Sequence, residues 1–293
     1  MEKRIGLVGI GLVGTAMAGN LISAGFDVAG YDVVAARRQV LVEMGGAEAS
    51  SARDAAEGKR CVILSLMTSD IVRQVLLGDG GVLSADPAPG TIIDTTTGDP
   101  DKTVAIAAEC AGRGVDYLDA TISGSSDMIA QRKGVFMVGG SAETFAACGE
   151  IFDALAERSI HVGPSGCGAK AKLAVNLIMG LNRAALAEGL VFAEKIGLDP
   201  AAFFDVARAS FAYSRIMDVK GPKMLSGDFS TQGRLAQHAK DVDLILQCAR
   251  NAGQGLPLSD VHKRILDAGI AAGEGDLDNS AIIQQLRRET VES

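Results

Sequence analysis

Short apolar runs alternate with segments of helical periodicity through the first half of the chain. Apolar positions with a period near 3.6 predict helices, and short apolar runs predict buried strands. Strands that alternate with helices are typical of βαβ units with a mostly parallel sheet. The strands are predicted at Arg4–Val8, Asp27–Tyr31, Cys61–Leu66, Thr91–Asp94, Asp116–Ala120 and Val135–Gly139. The helices between the early strands are predicted at Gly14–Ala24, Ala35–Glu43, Ile71–Leu76 and Pro100–Gly112.

The pattern changes after about residue 163. Residues 169–195 are predicted to form one helix about 40 Å long, at about 1.5 Å per residue. Apolar residues surround much of its circumference, which indicates burial on several sides. Helical periodicity then continues, with breaks predicted at Gly221-Pro222, Gly253–Pro257 and Gly273–Gly275. We therefore predict an α/β protein: an N-terminal Rossmann-type doubly wound sheet (1–163), then a long connecting helix that begins an all-α C-terminal domain (164–293).

The composition and net charge of the chain disfavour several classes of binding partner and cellular location. The chain has 293 residues and a net charge of −8, which disfavours a broad nucleic-acid surface. Five cysteines without paired spacing predict neither a disulfide framework nor a zinc site, so we expect no metal and a cytoplasmic location. Glycines interrupt the apolar run after Lys3-Arg4, which disfavours a secretory signal, and no uninterrupted apolar stretch predicts a membrane span.

The strongest local pattern is a glycine-rich turn between the first strand and the first helix. Gly9, Gly11 and Gly14 form GxGxxG, a weak signal alone in a chain with 36 glycines. Its context favours dinucleotide binding: Gly9 allows a tight turn, Gly11 lets the backbone approach a pyrophosphate, and Gly14 allows close helix packing. The pyrophosphate would lie at the helix N-terminus. The predicted cofactor contacts in this turn are Gly9, Ile10, Gly11, Leu12, Val13 and Gly14.

An acidic residue follows the second predicted strand. Asp32 lies 18 residues after Gly14, near the spacing expected for a carboxylate that binds both ribose hydroxyls. That carboxylate would repel a 2′-phosphate, so the prediction is NAD. Arg37 and Arg38 could hold a 2′-phosphate instead, and NADP stays open as the alternative.

Five ordered motifs extend over nearly the whole chain. They are the N-terminal glycine turn, Asp94-Thr-Thr96-Thr97-Gly-Asp-Pro100, Asp119-Ala-Thr121-Ile-Ser123-Gly124-Ser125, Gly166-Cys-Gly168-Ala-Lys-Ala-Lys172-Leu-Ala-Val-Asn176, and Lys240-Asp241 with Gly273–Ala281. In this order they make the chain resemble the β-hydroxyacid dehydrogenase family, which includes hydroxyisobutyrate dehydrogenases and tartronate semialdehyde reductases. The resemblance implies hydride transfer between nicotinamide and a small carboxylate-bearing hydroxy acid.

The fourth motif also carries chemistry of its own. Lys172 and Asn176 are four residues apart and share one helix face, and Gly168 one turn earlier would leave room for a ligand. Alcohol oxidation needs a group that takes the hydroxyl proton, and a lysine can do so where burial and positive neighbours lower its pKa towards neutrality. Lys170 points about 160° away on a helix. We therefore expect Lys172 to be the acid/base and Asn176 to orient the substrate.

The resemblance implies further site residues. Ser123, Gly124 and Ser125 would bind the substrate carboxylate, and Lys240 would lie near both cofactor and substrate. Ligands of parallel sheets bind at strand C-termini, which adds cofactor contacts after the third and fourth predicted strands. These contacts are predicted at Leu66, Met67, Thr68 and Thr96.

The resulting hypothesis is an NAD-linked 3-hydroxyacid dehydrogenase, or the reverse reductase, that forms a homodimer or homotetramer. Two alternatives stay open at this point: imine reduction on the same scaffold, which the lysine disfavours, and dinucleotide sensing without catalysis. The residues leave the individual hydroxy acid, its physiological direction of conversion and the size of the oligomer undetermined.

Overall fold

The structure, a computed structural model, describes residues 3–289. These residues form two compact units, which divide between Lys172 and Leu173. The division falls inside the long helix, so this helix contributes residues to both units.

The first unit is built on one sheet of eight strands. Its order, β3-β2-β1-β4-β5-β6-β7-β8, is the Rossmann order extended by two strands beyond β6. All neighbouring strands are parallel except β6 and β7, which are antiparallel. The strands are β1 (Arg4–Val8), β2 (Asp27–Tyr31), β3 (Ala47–Glu48), β4 (Cys61–Leu64), β5 (Thr91–Asp94), β6 (Asp116–Ser123), β7 (Val135–Gly139) and β8 (Arg158–Gly163).

Helices cover both faces of this sheet. Alternate residues of the central strands therefore enter two separate cores: Leu7 and Ile63 lie in one, whereas Val8 and Leu64 lie in the other. The helices of the first unit are α1 (Leu12–Ser23), α2 (Ala35–Glu43), α3 (Ala52–Ala56), α4 (Ser69–Leu77), α5 (Pro100–Ala111), α6 (Ser126–Ala130), α7 (Ala142–Ala147) and α8 (Gly149–Leu155). A short 3₁₀ helix, Val82–Ser84, follows α4.

The second unit is all helical. Its core comprises residues such as Leu190, Met224, Leu266 and Ile282, which are almost completely buried. Its elements are the continuation of α9 (Cys167–Lys195), α10 (Pro200–Ala209), α11 (Arg215–Ser226), α12 (Leu235–Asn251), α13 (Pro257–Ala271), a 3₁₀ turn (Asn279–Ala281) and α14 (Ile282–Arg288).

The predicted α/β class, the parallel sheet and the helical C-terminal half are confirmed. The break predicted at Gly221-Pro222 is wrong, because both residues lie inside α11. A Cβ on Gly221 would lie 2.2 Å from the Phe204 ring, so the glycine allows this helix to pack directly on an aromatic side chain. Tertiary packing here outweighs the helix-breaking tendency of proline.

Helix α9 is not buried on several sides within this chain. Its buried positions form one stripe with a spacing of three or four residues, which includes Leu173, Asn176, Leu186 and Leu190. Ile178 and Phe192 on its other faces are 59% and 62% exposed. By length and composition alone α9 could cross a membrane, but a core helix of a soluble protein meets the same criterion, and one such helix is weak support for a span.

Candidate functional site

The glycine-rich turn has the backbone geometry that its sequence predicts. Gly9 has φ +95°, and a Cβ there would lie 2.2 Å from the Ser65 carbonyl oxygen. A Cβ on Gly14 would lie 2.1 Å from the carbonyl oxygen of Gly9. Neither position therefore accepts a side chain without rebuilding the turn between β1 and α1.

The N-terminus of α1 fits a pyrophosphate. Gly11 is its N-cap and supplies no side-chain cap, and a Cβ built on Gly11 would meet no atom within 4 Å. Leu12 is 80% exposed, and no acidic residue occupies the first turn of the helix. The first amides of a helix lack intrahelical partners and attract anions, so this open turn suits a dinucleotide phosphate.

The carboxylate of Asp32 accepts more hydrogen bonds within the protein than its sequence position suggests. Its Oδ2 accepts hydrogen bonds from the Ile10 amide at 2.8 Å and from Arg37 at 3.3 Å, and its Oδ1 accepts from the Val34 amide at 2.9 Å. A carboxylate offers about four lone-pair sites, so this buried group also braces the glycine turn and retains limited capacity for a ribose hydroxyl.

The two arginines after Asp32 differ in their surroundings. Arg38 donates to the Asp32 carbonyl oxygen at 2.6 Å and to Glu48 at 2.7 Å, which fixes it at the edge of the sheet. The side chain of Arg37 is 51% exposed and contacts Asp32. Arg37 is therefore the better placed of the two to bind a 2′-phosphate.

The predicted cofactor loops after β4 and β5 are tied together. The Leu66 amide donates to Thr96 Oγ1 at 3.2 Å, and the hydroxyl of Thr68 caps α4 by accepting from the Ile71 amide at 3.3 Å. Met67 is 70% exposed. These residues thus follow the C-terminal ends of neighbouring parallel strands, where ligands of such sheets bind.

Asp94, the first residue of the second motif, has a role that the motif itself does not reveal. Its Oδ1 accepts from the Thr96 amide at 2.9 Å, and its Oδ2 accepts from the Tyr117 hydroxyl at 2.6 Å. Burial raises the pKa of Asp94 to about 6, against the opposing hydrogen bonds. Asp94 therefore holds the backbone of the loop that carries Thr96. The sequence signal that could have identified it is a lone acidic residue at the end of a buried strand.

The three residues predicted to bind a carboxylate lie at the end of β6. Ser123 is the last residue of the strand, and Gly124 has φ +147°, which favours glycine. The Ser125 hydroxyl caps α6 by accepting from the Met128 amide at 3.3 Å. The Ser125 hydroxyl proton remains able to donate to a ligand, since capping uses only the oxygen as acceptor.

Helix α9 carries the predicted acid/base. Lys172 is half-buried, whereas Lys170 is exposed, as their helical positions predict. Gly168 has a different role from the expected one, because a Cβ there would lie 2.1 Å from the Asp119 carbonyl oxygen and 2.7 Å from that of Met137. The backbone of the sheet lies beside this glycine, so the glycine provides no space for a ligand there.

In the second unit, Asn176 is oriented by a carboxylate. Its Nδ2 donates to Asp241 Oδ2 at 3.2 Å, and the residue is only 3% exposed. Its buried Oδ1 accepts no hydrogen bond from the residues described, 3–289. Lys240, half-buried, precedes Asp241 on α12. The Nδ2 of Asn176 has a second hydrogen, which can donate to the oxygen of a substrate hydroxyl.

Both halves of the chain match models of known protein families. Residues 4–163 match the family model for the NAD binding domain of 6-phosphogluconate dehydrogenase. Residues 166–286 match the model described as NAD-binding of NADP-dependent 3-hydroxyisobutyrate dehydrogenase.

Individual relatives agree with these models. The 2-(hydroxymethyl)glutarate dehydrogenase of Eubacterium barkeri is 33% identical over 97% of this chain and 95% of that protein. The 2-hydroxy-3-oxopropionate reductase of Escherichia coli is 32% identical over 84% of each chain. The solved structure of a Mycobacterium tuberculosis 3-hydroxyisobutyrate dehydrogenase with L-serine has a TM-score of 0.89 and 30% identity, covering 98% of this chain and all of that one. The chain belongs to the β-hydroxyacid dehydrogenase family of NAD(P)-binding oxidoreductases.

Proposed function

We propose that this protein is an NAD-preferring 3-hydroxyacid dehydrogenase, or the reverse aldehyde-acid reductase, in which Lys172 is the acid/base. The observation that carries the proposal is the placement of Lys172 and Asn176 one turn apart on α9, with the Asn176 amide oriented by Asp241. A proton acceptor and a hydroxyl-orienting group thereby share one rigid element, which favours precise alignment with a substrate.

The proposed chemistry divides between cofactor and protein. Bound nicotinamide supplies the hydride acceptor or donor. Ser123 and Gly124 hold the substrate carboxylate. The second Nδ2 hydrogen of Asn176, which Asp241 does not use, donates to the substrate hydroxyl oxygen and leaves the hydroxyl proton directed at Lys172. Lys172 Nζ takes the hydroxyl proton in oxidation and returns it in reduction.

NAD is proposed as the preferred dinucleotide because of the charge beside the predicted ribose site. Asp32 is buried, and its carboxylate would repel a 2′-phosphate. Arg37 pairs with that carboxylate at 3.3 Å, so NADP binding would require this cation to turn towards the phosphate.

The decisive experiment combines a substrate panel with matched lysine variants. The purified protein is assayed with NAD and NADP against small 2- and 3-hydroxy acids, and the assay is repeated for Lys172→Ala and Lys170→Ala. Loss of a general acid/base should reduce kcat about 10²–10⁴-fold for Lys172→Ala. NADH binding, followed by fluorescence, should persist. The exposed Lys170→Ala variant is the matched control and should retain turnover.

Other outcomes identify the alternatives. Near-normal turnover by Lys172→Ala would refute the proposed role of the lysine. NADH binding without turnover of any hydroxy acid would support a dinucleotide sensor, and turnover of imines alone would support an imine reductase.

We also propose a cytoplasmic homodimer or homotetramer. The five cysteines are free, which suits a reducing compartment. The helical unit exposes the apolar side chains of Phe192, Val206 and Phe211, which association with a second copy could cover. Sedimentation analysis tests this directly, and a monomer at micromolar concentration would contradict it.

A further inference from the structure

A buried carboxylate fixes the beginning of α9. Asp119 lies in β6 and is 2% exposed. Its Oδ1 accepts from the Gly166 amide at 2.8 Å, and its Oδ2 accepts from the Ala169 amide at 2.8 Å. The first amides of a helix have no intrahelical partners, so this one side chain satisfies two donors at the N-terminus of α9.

The same attachment has a further hydrogen bond and a close fit. The Thr121 hydroxyl, two residues further along β6, donates to the Gly168 carbonyl oxygen at 2.8 Å. A Cβ on Gly139 would lie 2.5 Å from Asp119 Oδ1, and one on Gly168 would lie 2.9 Å from Oδ2. A side chain at either glycine would therefore collide with the carboxylate.

Burial of this carboxylate has an energetic cost. Desolvation raises the pKa of Asp119, and the hydrogen bonds from Gly166 and Ala169 act in the opposite direction. A charged or protonated group at this position gives less hydrophobic stabilisation than an apolar residue would. The carboxylate offers directional hydrogen bonding in return, because its two oxygens together define both the position and the orientation of the helix end.

Both sides of this attachment carry proposed site residues. Lys172 follows Ala169 by three residues, on the next turn of α9, and Ser123 and Gly124 follow Asp119 at the end of β6. We infer that Asp119 is a positioning residue that fixes the Lys172 amine relative to the carboxylate-binding residues Ser123 and Gly124. This inference rests on the proposed function, because the position of the Lys172 amine matters to turnover only if that amine transfers the proton.

The first test is Asp119→Asn, which keeps the size of the side chain but replaces one acceptor oxygen by a donor. A displacement of about 1 Å can reduce turnover about 100-fold, so we expect kcat to fall by about that factor while the KM for NAD stays within about twofold. The matched control is Asp116→Asn in the same strand, whose Oδ2 accepts from the Thr144 hydroxyl at 2.9 Å. This control should retain the kcat of the wild type.

The second test separates positioning from general damage. A small primary amine added to Lys172→Ala supplies a proton acceptor that is not attached to α9. If Asp119 acts by positioning Lys172, then Asp119→Asn should reduce kcat in the wild-type background but not in amine-supplemented Lys172→Ala. A penalty of equal size in both backgrounds would overturn the inference, as would wild-type kcat in folded Asp119→Asn.

A milder variant covers the case in which Asp119→Asn does not fold. Thr121→Val removes one hydrogen bond of the same attachment while preserving shape, and we expect a several-fold loss of kcat that Thr121→Ser restores. Equal kcat for Thr121→Val and the wild type would contradict the inference. Full activity of Lys172→Ala would instead refute the proposed function, so the two failures are distinguishable.

Discussion

Replacement of Asp94 by asparagine should change how stability depends on pH. The asparagine Oδ1 can still accept from the Thr96 amide, and its Nδ2 can donate to the Tyr117 hydroxyl, which now accepts. The carboxylate is fully buried, and desolvation raises its pKa from 3.8 to about 6. Between these values the folded protein binds more protons than the unfolded chain, so the Asp94 contribution to stability falls as pH rises.

The size of the effect follows from that pKa difference. One pKa unit corresponds to about 1.36 kcal/mol, so the full titration of Asp94 lowers the free energy of unfolding by about 3 kcal/mol. About 2 kcal/mol of this loss falls between about pH 4.5 and 7. Asp94→Asn lacks the titrating group, and its stability relative to the wild type should therefore increase by about 2 kcal/mol over that range.

Urea denaturation of both proteins at a series of pH values measures this difference. Other titrating groups are common to both proteins and cancel in the comparison, and equal m-values would show that the same surface unfolds. NADH binding serves as the control for an intact Thr96 loop. A stability difference that stays constant from about pH 4.5 to 7, or that moves in the opposite direction, would refute the reasoning.

Two further predictions concern other charged residues. Arg37→Ala should raise the KM for NADP about 10-fold and leave the KM for NAD within about threefold, since a charged hydrogen bond contributes about 1.5–3 kcal/mol; equal effects on both cofactors in steady-state assays would contradict the assignment. In the helical unit, burial opposes ionisation of Asp278, but hydrogen bonds from Lys220 and Ser280 hold its pKa at about 2. Its stabilisation is therefore present above about pH 4 and lost as pH falls towards about 2. Asp278→Ala should destabilise this unit by about 3–5 kcal/mol at about pH 7, because Lys220 stays buried without its partner. Urea denaturation measures this loss, and unchanged stability would contradict it.

Local chemistry explains what could be predicted at the candidate site. The positive φ of Gly9 and the absence of space at Gly14 follow from a tight strand–turn–helix connection, which adjacent residues encode. The shared face of Lys172 and Asn176 follows from helical periodicity. The contrast between half-buried Lys172 and exposed Lys170 was predictable for the same reason.

Contacts between distant residues could not be predicted in this way. Asp119 and Gly166 are 47 positions apart, and nothing near either residue indicates their hydrogen bond. The hydrogen bond from Arg38 to Glu48 and the packing of Gly221 against Phe204 likewise depend on the tertiary structure. Strand β8 was missed because its half-exposed residues lack an apolar run.

The sequence by itself determined the alternating strands and helices, the glycine turn and the spacing of the lysine motif, since each depends on the geometry of neighbouring residues. Only the tertiary structure decided which carboxylates are buried, which arginine remains accessible and which face of α9 stays exposed. Burial and long-range hydrogen bonding depend on which distant residues lie next to a side chain in the folded protein. Local periodicity does not indicate which residues these are.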